Sequence, residues 1–277
     1  MKQVDLEQRK IDPQNYLRKS ACESDTSKII NEPGVYCVAG KPTIIYGRLG
    51  ERYDRMLWAV KTIGFSKEMR SSTGGHLTRG SGKTEMGQSR IFGLRPRIPI
   101  GANYCSVASS YATHPEQHRI ICEFGRLLDS IYSNFAPTTA GAHSDSLRKT
   151  IRAEWIIPGT RFTSGIVNQN NPLRYHFDKG NLHGVMSAMI VFRDLCKGGY
   201  LSVPEFDARF DLSDHSFLLF DGQSYLHGVT AIDRLNKRSY RYSVVYYALR
   251  GMAKCGTLEE EVARARIEKR EREKRRI

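Results

Sequence analysis

The sequence predicts an α+β protein whose core is a jelly roll, a double-stranded β-helix of the cupin-like kind, with helices on its flanks. Short apolar segments follow one another through the second half of the chain, and turns rich in Gly, Pro and Asp separate them, a pattern typical of β-sandwiches and jelly rolls. Helical periodicity lies mainly in the first half and at the carboxyl end. The length of 277 residues is ordinary for one large β-rich domain.

The amino-terminal region predicts a β-hairpin followed by a helix. Residues 1–32 are polar and indicate one short helix after Asp12-Pro13. Apolar residues at 34–38 and 43–46 flank Gly40-Lys41-Pro42, a turn sequence that favours a hairpin. In residues 52–63 apolar side chains recur at helical spacing, which predicts an amphipathic helix.

Two further helices are expected before the strand-rich part, and one after it. Thr113 and Glu116 match a capping box with Pro115 in the first turn, and apolar residues then keep helical spacing as far as Phe135. This long helix should lie with one face on a sheet. A second helix is expected over residues 145–153. The tail from residue 257 is mostly Glu, Arg, Lys and Ala, which predicts a solvated charged helix.

The strand-rich part and the flanking elements divide the chain into three regions. The expected strands are residues 154–157, 161–167, 185–192, 200–203, 216–220 and 241–249. The expected regions are an amino-terminal hairpin and helix with a basic loop, packed on the core (1–94), the β-barrel core (95–252) and the charged carboxyl-terminal helix (253–277).

The strong positive charge indicates a polyanionic partner. Lys and Arg number 43 against 29 Asp and Glu, which gives a formal net charge of +14 and a pI of about 9.6. Residues 61–100 hold eight Lys or Arg against two Glu and are rich in Gly, Ser and Thr. We interpret part of this segment as a flexible basic loop that grips phosphates, with Arg79 and Lys83 as DNA contacts.

The cysteines and the amino terminus indicate an intracellular protein. The six cysteines are scattered without a C-x-x-C pair, so we expect reduced thiols. The amino terminus is charged where a signal peptide would be apolar, and no run approaches the ~20 apolar residues of a membrane span. We expect a soluble monomer without membrane association, cytoplasmic if the source is prokaryotic or viral and nuclear if it is eukaryotic.

Three potential metal ligands lie in the strand-rich part. His176 and Asp178 are two residues apart, so an extended segment directs both side chains to one side. His227 enters from a later segment. Two imidazoles and one carboxylate form the facial triad that binds Fe(II) and leaves other positions open. We therefore expect these residues to be metal ligands and the catalytic centre. His183 and His215 are alternatives; Gly-Val follows His183 as it follows His227, so this pattern counts against His215 alone.

A cosubstrate site is predicted on the last expected strand. Arg241 lies two residues before Ser243, and a guanidinium beside a hydroxyl suits the far carboxylate of a dicarboxylate. Arg234 and Arg238 are rivals but fall in a polar turn. The combination matches the arrangement of the Fe(II)/2-oxoglutarate dioxygenases, whose cofactors are Fe(II), 2-oxoglutarate and O2.

The motifs around these residues resemble one family more narrowly. They are Tyr175-His176-Phe177-Asp178-Lys179-Gly180-Asn181, His227-Gly228-Val229-Thr230, Arg241-Tyr242-Ser243-Val244-Val245-Tyr246-Tyr247 and Phe92-Gly93-Leu94-Arg95-Pro96-Arg97. On these residues the chain, from about residue 91 to 252, is similar to the small prokaryotic and viral members of the Tet/JBP family, which oxidises the 5-methyl group of thymine or 5-methylcytosine in DNA.

The resemblance implies further roles. It implies that His176, Asp178 and His227 are the metal ligands, with Arg241 and Ser243 on 2-oxoglutarate. Beyond these residues, it implies that Asn181 hydrogen-bonds an extruded base and that Tyr247 stacks on it. Two residues past that aromatic, Tet enzymes have a base-reading histidine and this chain has Leu249, which leaves thymine open as the target. We expect Arg95 and Arg97 either to contact DNA or to be structural.

The function that we expect is hydroxylation of a 5-methylpyrimidine in DNA, giving 5-hydroxymethyluracil or 5-hydroxymethylcytosine. Because a stacked base cannot reach a metal inside a barrel, the nucleotide must be flipped out. Two alternatives stay open at this point: AlkB-type demethylation of damaged bases, and a DNA-binding barrel without turnover.

Overall fold

The computed structural model describes residues 1–65, 77–80, 83–86, 88–97 and 104–275, with only the backbone described at 77–80 and 83–86. The helices are α1 Asp54–Thr62, α2 Ser110–Thr113, α3 Pro115–Phe135, α4 Pro137–Thr150 and α5 Leu258–Lys274. The strands are β1 Lys2–Asp5, β2 Lys28–Ile30, β3 Gly34–Val38, β4 Lys41–Arg48, β5 Leu77–Gly80, β6 Lys83–Met86, β7 Gln88–Arg95, β8 Ser106–Val107, β9 Ser164–Gln169, β10 Ser187–Asp194, β11 Cys196–Gly198, β12 Leu201–Val203, β13 Ala208–Phe210, β14 Ser216–Phe220, β15 Gly228–Val229, β16 Ile232–Arg234 and β17 Tyr240–Tyr247.

A large sheet, here called the major sheet, runs through the molecule. Its strand order is β1-β3-β4-β14-β10-β17-β9-β7-β8. The central strands β14, β10, β17 and β9 pair antiparallel, with Ser243 of β17 opposite both Val191 of β10 and Asn168 of β9. The hairpin expected near residue 40 is confirmed as β3 and β4. Adjacent pairing places residues from distant parts of the chain side by side.

A smaller sheet covers part of one face of the major sheet. This minor sheet has the order β15-β12-β13-β2. Phe210 of β13 lies edge-on to Tyr36 and Tyr46 of the major sheet, at ring-centroid distances of 5.5 and 5.7 Å. The apolar layer between the two sheets also contains Met189 and Leu201. Two facing sheets of short strands are the expected jelly roll, and the α+β prediction is confirmed.

Helices cover the opposite face, here called the rear face, of the major sheet. Along β10, Ala188, Ile190 and Phe192 pack among residues of α1, α3 and α4, while Met189 and Val191 pack toward the minor sheet. Side chains alternate faces along a strand, so a strand covered on both faces is apolar throughout. The helices of the rear face pack against the major sheet. A binding site can therefore lie on its other face, between the two sheets.

Three local expectations are wrong. Residues 154–157 are not a strand, because Ala153–Trp155 form a 3₁₀ turn. The capping box of Thr113 does not form: its hydroxyl donates to the Ser109 carbonyl at 3.1 Å, and α3 begins after His114. The helix expected at 145–153 begins earlier, at Pro137. In all three places the local sequence pattern differs from the element that forms.

The expected basic loop is in part a hairpin. β5 pairs with β6, and Gly80 of β5 pairs with Arg234 of β16 in a sheet of order β11-β16-β5-β6. The expectation of an unstructured loop is therefore wrong for residues 77–80 and 83–86, because backbone pairing with β16 does not depend on apolar side chains. Residues 66–76 and 81–82 of the predicted loop lie outside the described part.

The carboxyl-terminal helix is tied to the core at its first turn. Glu261 of α5 is 1% exposed and accepts hydrogen bonds from Arg97 and from the backbone N–H of Cys105. Cys105 and Cys255 form a disulfide across 150 residues of sequence. The expectation that every cysteine is a reduced thiol is wrong for this pair, since sequence spacing does not show which residues the fold brings together.

Two further findings concern the chain as a whole. Among the described helices, none combines the length and apolar character needed to cross a membrane. β7 spans residue 94, and β1, β3 and β4 share its sheet, so the amino-terminal region is continuous with the core. The division into three regions stays a prediction.

Candidate active site

A single bridge between two loops brings the predicted metal ligands together. The backbone N–H of His176 donates to the carbonyl of His227 at 2.9 Å, and the reverse bond is 3.1 Å. The N–H of Asp178 donates to the carbonyl of Gly222 at 2.8 Å. These bonds fix the backbone of both segments at one end of the space between the sheets.

The three side chains converge in a geometry that suits a metal ion. One ligand atom from each of His176, Asp178 and His227 lies within 4.8 Å of the others. The Nε2 atoms of His176 and His227 lie 3.6 and 3.9 Å from the two carboxylate oxygens of Asp178. Neighbouring ligand atoms of one tetrahedral or octahedral ion with bonds of about 2 Å lie about 3 Å apart, so these side chains would close slightly around a bound ion.

Backbone carbonyls orient both imidazoles. Nδ1 of His176 lies 2.7 Å from the carbonyl of Arg174, and Nδ1 of His227 lies 3.0 Å from that of Tyr225. A carbonyl only accepts, so Nδ1 carries the hydrogen and the Nε2 lone pair is left for a metal. This orientation of metal-binding histidines is widespread.

Burial and neighbouring charge act differently on the two rings. Burial, with a smaller contribution from His176, lowers the pKa of His227 to about 4, which keeps this imidazole neutral. Burial also lowers the pKa of His176, but the hydrogen bond and charge of Asp178 outweigh it, and the net pKa is raised. A divalent cation between the rings would take the place of that proton.

Gly222 leaves the room that the three ligands need. A Cβ at this position would lie 2.6 Å from Oδ2 of Asp178 and 2.9 Å from Cε1 of His227. Both distances are shorter than real contacts of a Cβ. Because Gly222 has no side chain, its backbone can lie next to Asp178 and His227 without a clash. The three ligand residues and this glycine together can accommodate a metal ion.

A cavity of about 680 Å³ opens from the metal cluster between the two sheets. Ligand sites in proteins commonly have volumes of about 300–1,000 Å³. Met189, Leu218 and Val245 line its apolar walls, and Ser243 and Asn168 add polar groups. Because these two face each other across β17 and β9, they form one polar patch on the major sheet.

Arg241 lies buried on the strand face that carries Ser243, at only 1% exposure. Its Nη2 donates to the Gly199 carbonyl at 3.0 Å, while Nε is buried without a hydrogen-bond partner among the described residues. Burial, and then the charge of Arg193, lower the pKa of Arg241 to about 9. A buried guanidinium with an orphan N–H and no paired carboxylate in the described part suits an anionic ligand.

Asn181 and Tyr247, which are predicted to contact an extruded base, both line this cavity. Leu249 lines it as well, and the backbones of Asn181 and Leu249 form a bridge. The Asn181 amide donates to Ser187 Oγ at 2.9 Å and more weakly to Asp178 Oδ2 at 3.4 Å. Asn181 therefore also steadies a metal-binding carboxylate.

The predicted DNA contacts fall in different places. Arg95 lines the cavity. Arg97 is paired with the buried Glu261, so its guanidinium is engaged in holding α5, and DNA contact by Arg97 stays a prediction. The side chains of Arg79 and Lys83 lie outside the described part.

The rival residues lie elsewhere. His183 is exposed, and His215 packs edge-on against Phe192 at 5.2 Å. Arg234 donates to the Ser239 carbonyl in the turn before β17, and Arg238 lies exposed in the same turn. None of these four described residues lines the cavity, and Arg241 does not line it either; Arg241 is related to the cavity by its place on β17, two residues from the lining residue Ser243.

The structure also adds cavity residues that sequence reasoning missed. The polar and charged ones include Asn168, Arg18, Arg174 and Lys179. The alternation of β9 and β17 could have indicated Asn168, given a known register. Nothing in the polar segment before residue 32 indicated Arg18.

The fold and the site together define a class: a jelly roll with a two-histidine, one-carboxylate cluster at the mouth of its cavity. A likeness to a solved structure supports the fold. NgTET1 in complex with 5mC DNA superposes with a TM-score of 0.58 at 13% identity, covering 83% of this chain and 81% of that one. No family model matches the chain.

Similarity to curated proteins indicates one family within this class. In an alignment of 227 positions that covers 76% of this chain, it is 27% identical to the bifunctional helicase and thymine dioxygenase JBP2 of Leishmania braziliensis. It is 31% identical over 130 residues, 47% of its length, to JBP2 of Trypanosoma brucei brucei. It spans about a fifth of the length of the first relative and 12% of the second. These similarities confirm the resemblance to the Tet/JBP family.

Proposed function

We propose that this chain is an Fe(II)- and 2-oxoglutarate-dependent dioxygenase that hydroxylates the 5-methyl group of a pyrimidine in DNA. The observation that carries the proposal is the convergence of His176, Asp178 and His227 within 4.8 Å beside a cavity. The family resemblance supports it, since relatives bear the name thymine dioxygenase. One chain supplies all of these residues, so we propose that a monomer is sufficient, and an intracellular place follows from the proposed substrate.

The metal would be held by Nε2 of both histidines and by the Asp178 carboxylate. Three protein ligands leave the remaining positions of the ion open to cosubstrate and oxygen. The bound iron supplies oxygen activation at the expense of 2-oxoglutarate. The chain's own part is to orient both imidazoles, through the carbonyls of Arg174 and Tyr225.

The cosubstrate would lie in the cavity with one carboxylate directed toward Arg241, which is buried and does not itself line the cavity. The orphan Nε of this residue and its lack of a paired acid in the described part support that role. Ser243 lies two residues on along the same strand face and lines the cavity, so its hydroxyl would add a second donor. The low dielectric around a buried guanidinium strengthens its attraction for a carboxylate.

The target base would enter the same cavity after flipping out of the duplex. Tyr247 would stack on the base, and Asn181 would contact its edge while steadying Asp178. We propose thymine as the preferred target. Leu249 offers no hydrogen bond to an exocyclic amine, and the relatives named above are thymine dioxygenases. Arg95 at the cavity would contact the DNA backbone.

Nucleoside mass analysis tests the proposal. Purified protein is incubated with Fe(II), 2-oxoglutarate and duplex DNA, either unmodified or containing 5-methylcytosine, and the digested nucleosides are analysed. We expect 5-hydroxymethyluracil from the unmodified duplex and less 5-hydroxymethylcytosine from the other. Asp178→Ala should form neither, whereas Asp233→Ala, which removes an exposed carboxylate on β16, should match the wild type.

Two outcomes would contradict the proposal. Formaldehyde release from a third duplex that carries an N-methylated base, with no hydroxymethyl nucleoside from the first two, would indicate demethylation of the AlkB type. DNA binding without any consumption of 2-oxoglutarate would indicate a barrel that binds and does not turn over.

A further inference from the structure

Positive charge surrounds the cavity. Among the described residues, the charged side chains that line it are Arg18, Arg95, Arg174, Lys179 and Asp178. Asp178 belongs to the metal cluster and is the one acid among them. Four cations against one metal-bound carboxylate would attract a polyanion, and a metal ion would add to that attraction.

Arg18 comes from a segment far from the barrel in sequence. Its backbone N–H donates to the Tyr175 carbonyl at 2.9 Å, and the N–H of Tyr175 donates to the Lys19 carbonyl at 3.0 Å. The ring of Tyr16 packs edge-on against that of Tyr175 at 5.5 Å. The amino-terminal segment is thus docked on the residue that immediately precedes His176.

The conformation of Arg18 is unusual for its side chain. Its φ angle is 67°, in the left-handed region that costs energy for residues with a Cβ. Strained backbone is often found at binding sites, where surrounding contacts hold it. Here the paired hydrogen bonds to Tyr175 hold the strained residue, and its side chain is exposed at the cavity.

Lys179 belongs to the segment that carries two of the metal ligands. It follows Asp178 directly, is exposed and lines the cavity. Among the described residues, no acid pairs with Arg18 or with Lys179. Both are therefore available to phosphates at the entrance.

We propose that Arg18 and Lys179 form a phosphate-binding rim that grips the DNA backbone on either side of the flipped nucleotide. The inference rests on the proposed function and identifies which residues bind the polyanion. The proposal gives the amino-terminal segment a binding role. This segment packs against Tyr175, next to the metal ligand His176, and so places Arg18 at the cavity.

Equilibrium DNA binding of metal-free protein tests the rim without requiring turnover. Fluorescence anisotropy is measured with a labelled duplex over a series of salt concentrations. Each lost phosphate contact lowers the slope of log K against log salt by about 0.9 and weakens binding about fivefold at 0.15 M salt. We expect this change for Arg18→Gly and about twice the slope change, about 30-fold in affinity, for Arg18→Gly with Lys179→Ala.

Three comparisons separate a binding role from a structural one. Glycine accepts a positive φ, so Arg18→Gly should keep the thermal midpoint at or above that of the wild type. Arg18→Lys should retain the salt slope. Arg55→Ala with Arg119→Ala, which removes two exposed cations from α1 and α3 on the rear face, should leave binding unchanged.

Unchanged affinity and slope in the folded Arg18→Gly, Lys179→Ala double variant would overturn the rim. An equal loss in the rear-face variant would also overturn it, because binding would then follow net charge alone. Failure of the proposed function has a different signature: no hydroxymethyl nucleoside forms, whatever the salt slope. The two failures are therefore distinguishable.

Discussion

A methyl group added at Gly222 should weaken metal binding while the protein still folds. The new Cβ would lie 2.6 Å from Oδ2 of Asp178, where ordinary contact begins at 3.4 Å. One of the two atoms must therefore move by about 0.8 Å, which exceeds the ~0.5 Å within which a metal-binding constellation must be held.

The carboxylate is the group that should give way. His227 is buried between His176 and Phe220, with ring centroids at 4.4 and 5.2 Å, and Nδ1 holds it to a carbonyl. Asp178 has the more exposed side chain, at 29% against 9% for His227. Its displacement should lower metal affinity about 10- to 100-fold, as loss of an orienting contact does, at a cost in folding free energy of about 1–3 kcal/mol.

Isothermal titration of Co(II) or anaerobic Fe(II) into Gly222→Ala measures the effect, with thermal unfolding as a check on the fold. Gly141→Ala is a matched control, because a Cβ there meets nothing within 4 Å in helix α4. Wild-type metal affinity in a folded Gly222→Ala protein would refute the placement of the ion beside this glycine.

Other predictions test the cosubstrate, the base and the carboxyl-terminal anchor. Arg241→Ala should raise the 2-oxoglutarate concentration for half-maximal rate at least tenfold while metal titration stays unchanged; an unaltered cosubstrate dependence would exclude Arg241 from that site. Leu249→His should raise the ratio of 5-hydroxymethylcytosine to 5-hydroxymethyluracil in competition on mixed duplexes, and an unchanged ratio would show that this position does not contact the base. Hydrogen bonds from Arg97 and two backbone N–H groups, which outweigh the effect of burial, lower the pKa of Glu261 from 4.5 to about 2. Because the folded pKa is below the unfolded one, ionised Glu261 contributes up to about 3 kcal/mol to the free energy of unfolding. This contribution is fully present above pH 4.5 and is lost as the pH falls toward 2. In urea unfolding between pH 3 and 7, Glu261→Gln should lose this part of the pH dependence, and a curve parallel to that of the wild type would contradict it.

The central chemistry could be predicted from the sequence because its signals are local. The spacing of His176 and Asp178, and the strand that carries Arg241 and Ser243, depend on alternation along short segments. Strand β14 appears with the expected bounds, and β10 and β12 lie within two residues of theirs. A buried strand in a jelly roll is a short run of apolar residues between turns, so its bounds can be predicted from the local sequence alone.

The remaining features depend on contacts between distant segments. Arg18 reaches the cavity only because its backbone pairs with Tyr175. Cys105 meets Cys255 across 150 residues. A polar segment and two isolated cysteines carry no periodicity from which these contacts could be predicted. The Gly-rich composition also gave no sign of strands β5 and β6, which pair with each other, β5 pairing in turn with β16.

The most direct measurement is the stoichiometry of bound iron in the wild type and in His227→Ala, determined after anaerobic loading and removal of free metal. His183→Ala is the matched control, since His183 is exposed and lies outside the cavity wall. The convergence of two histidines and one aspartate on a single ion predicts one Fe(II) per chain in the wild type and in His183→Ala, and almost none in His227→Ala. Full iron occupancy in His227→Ala would contradict it.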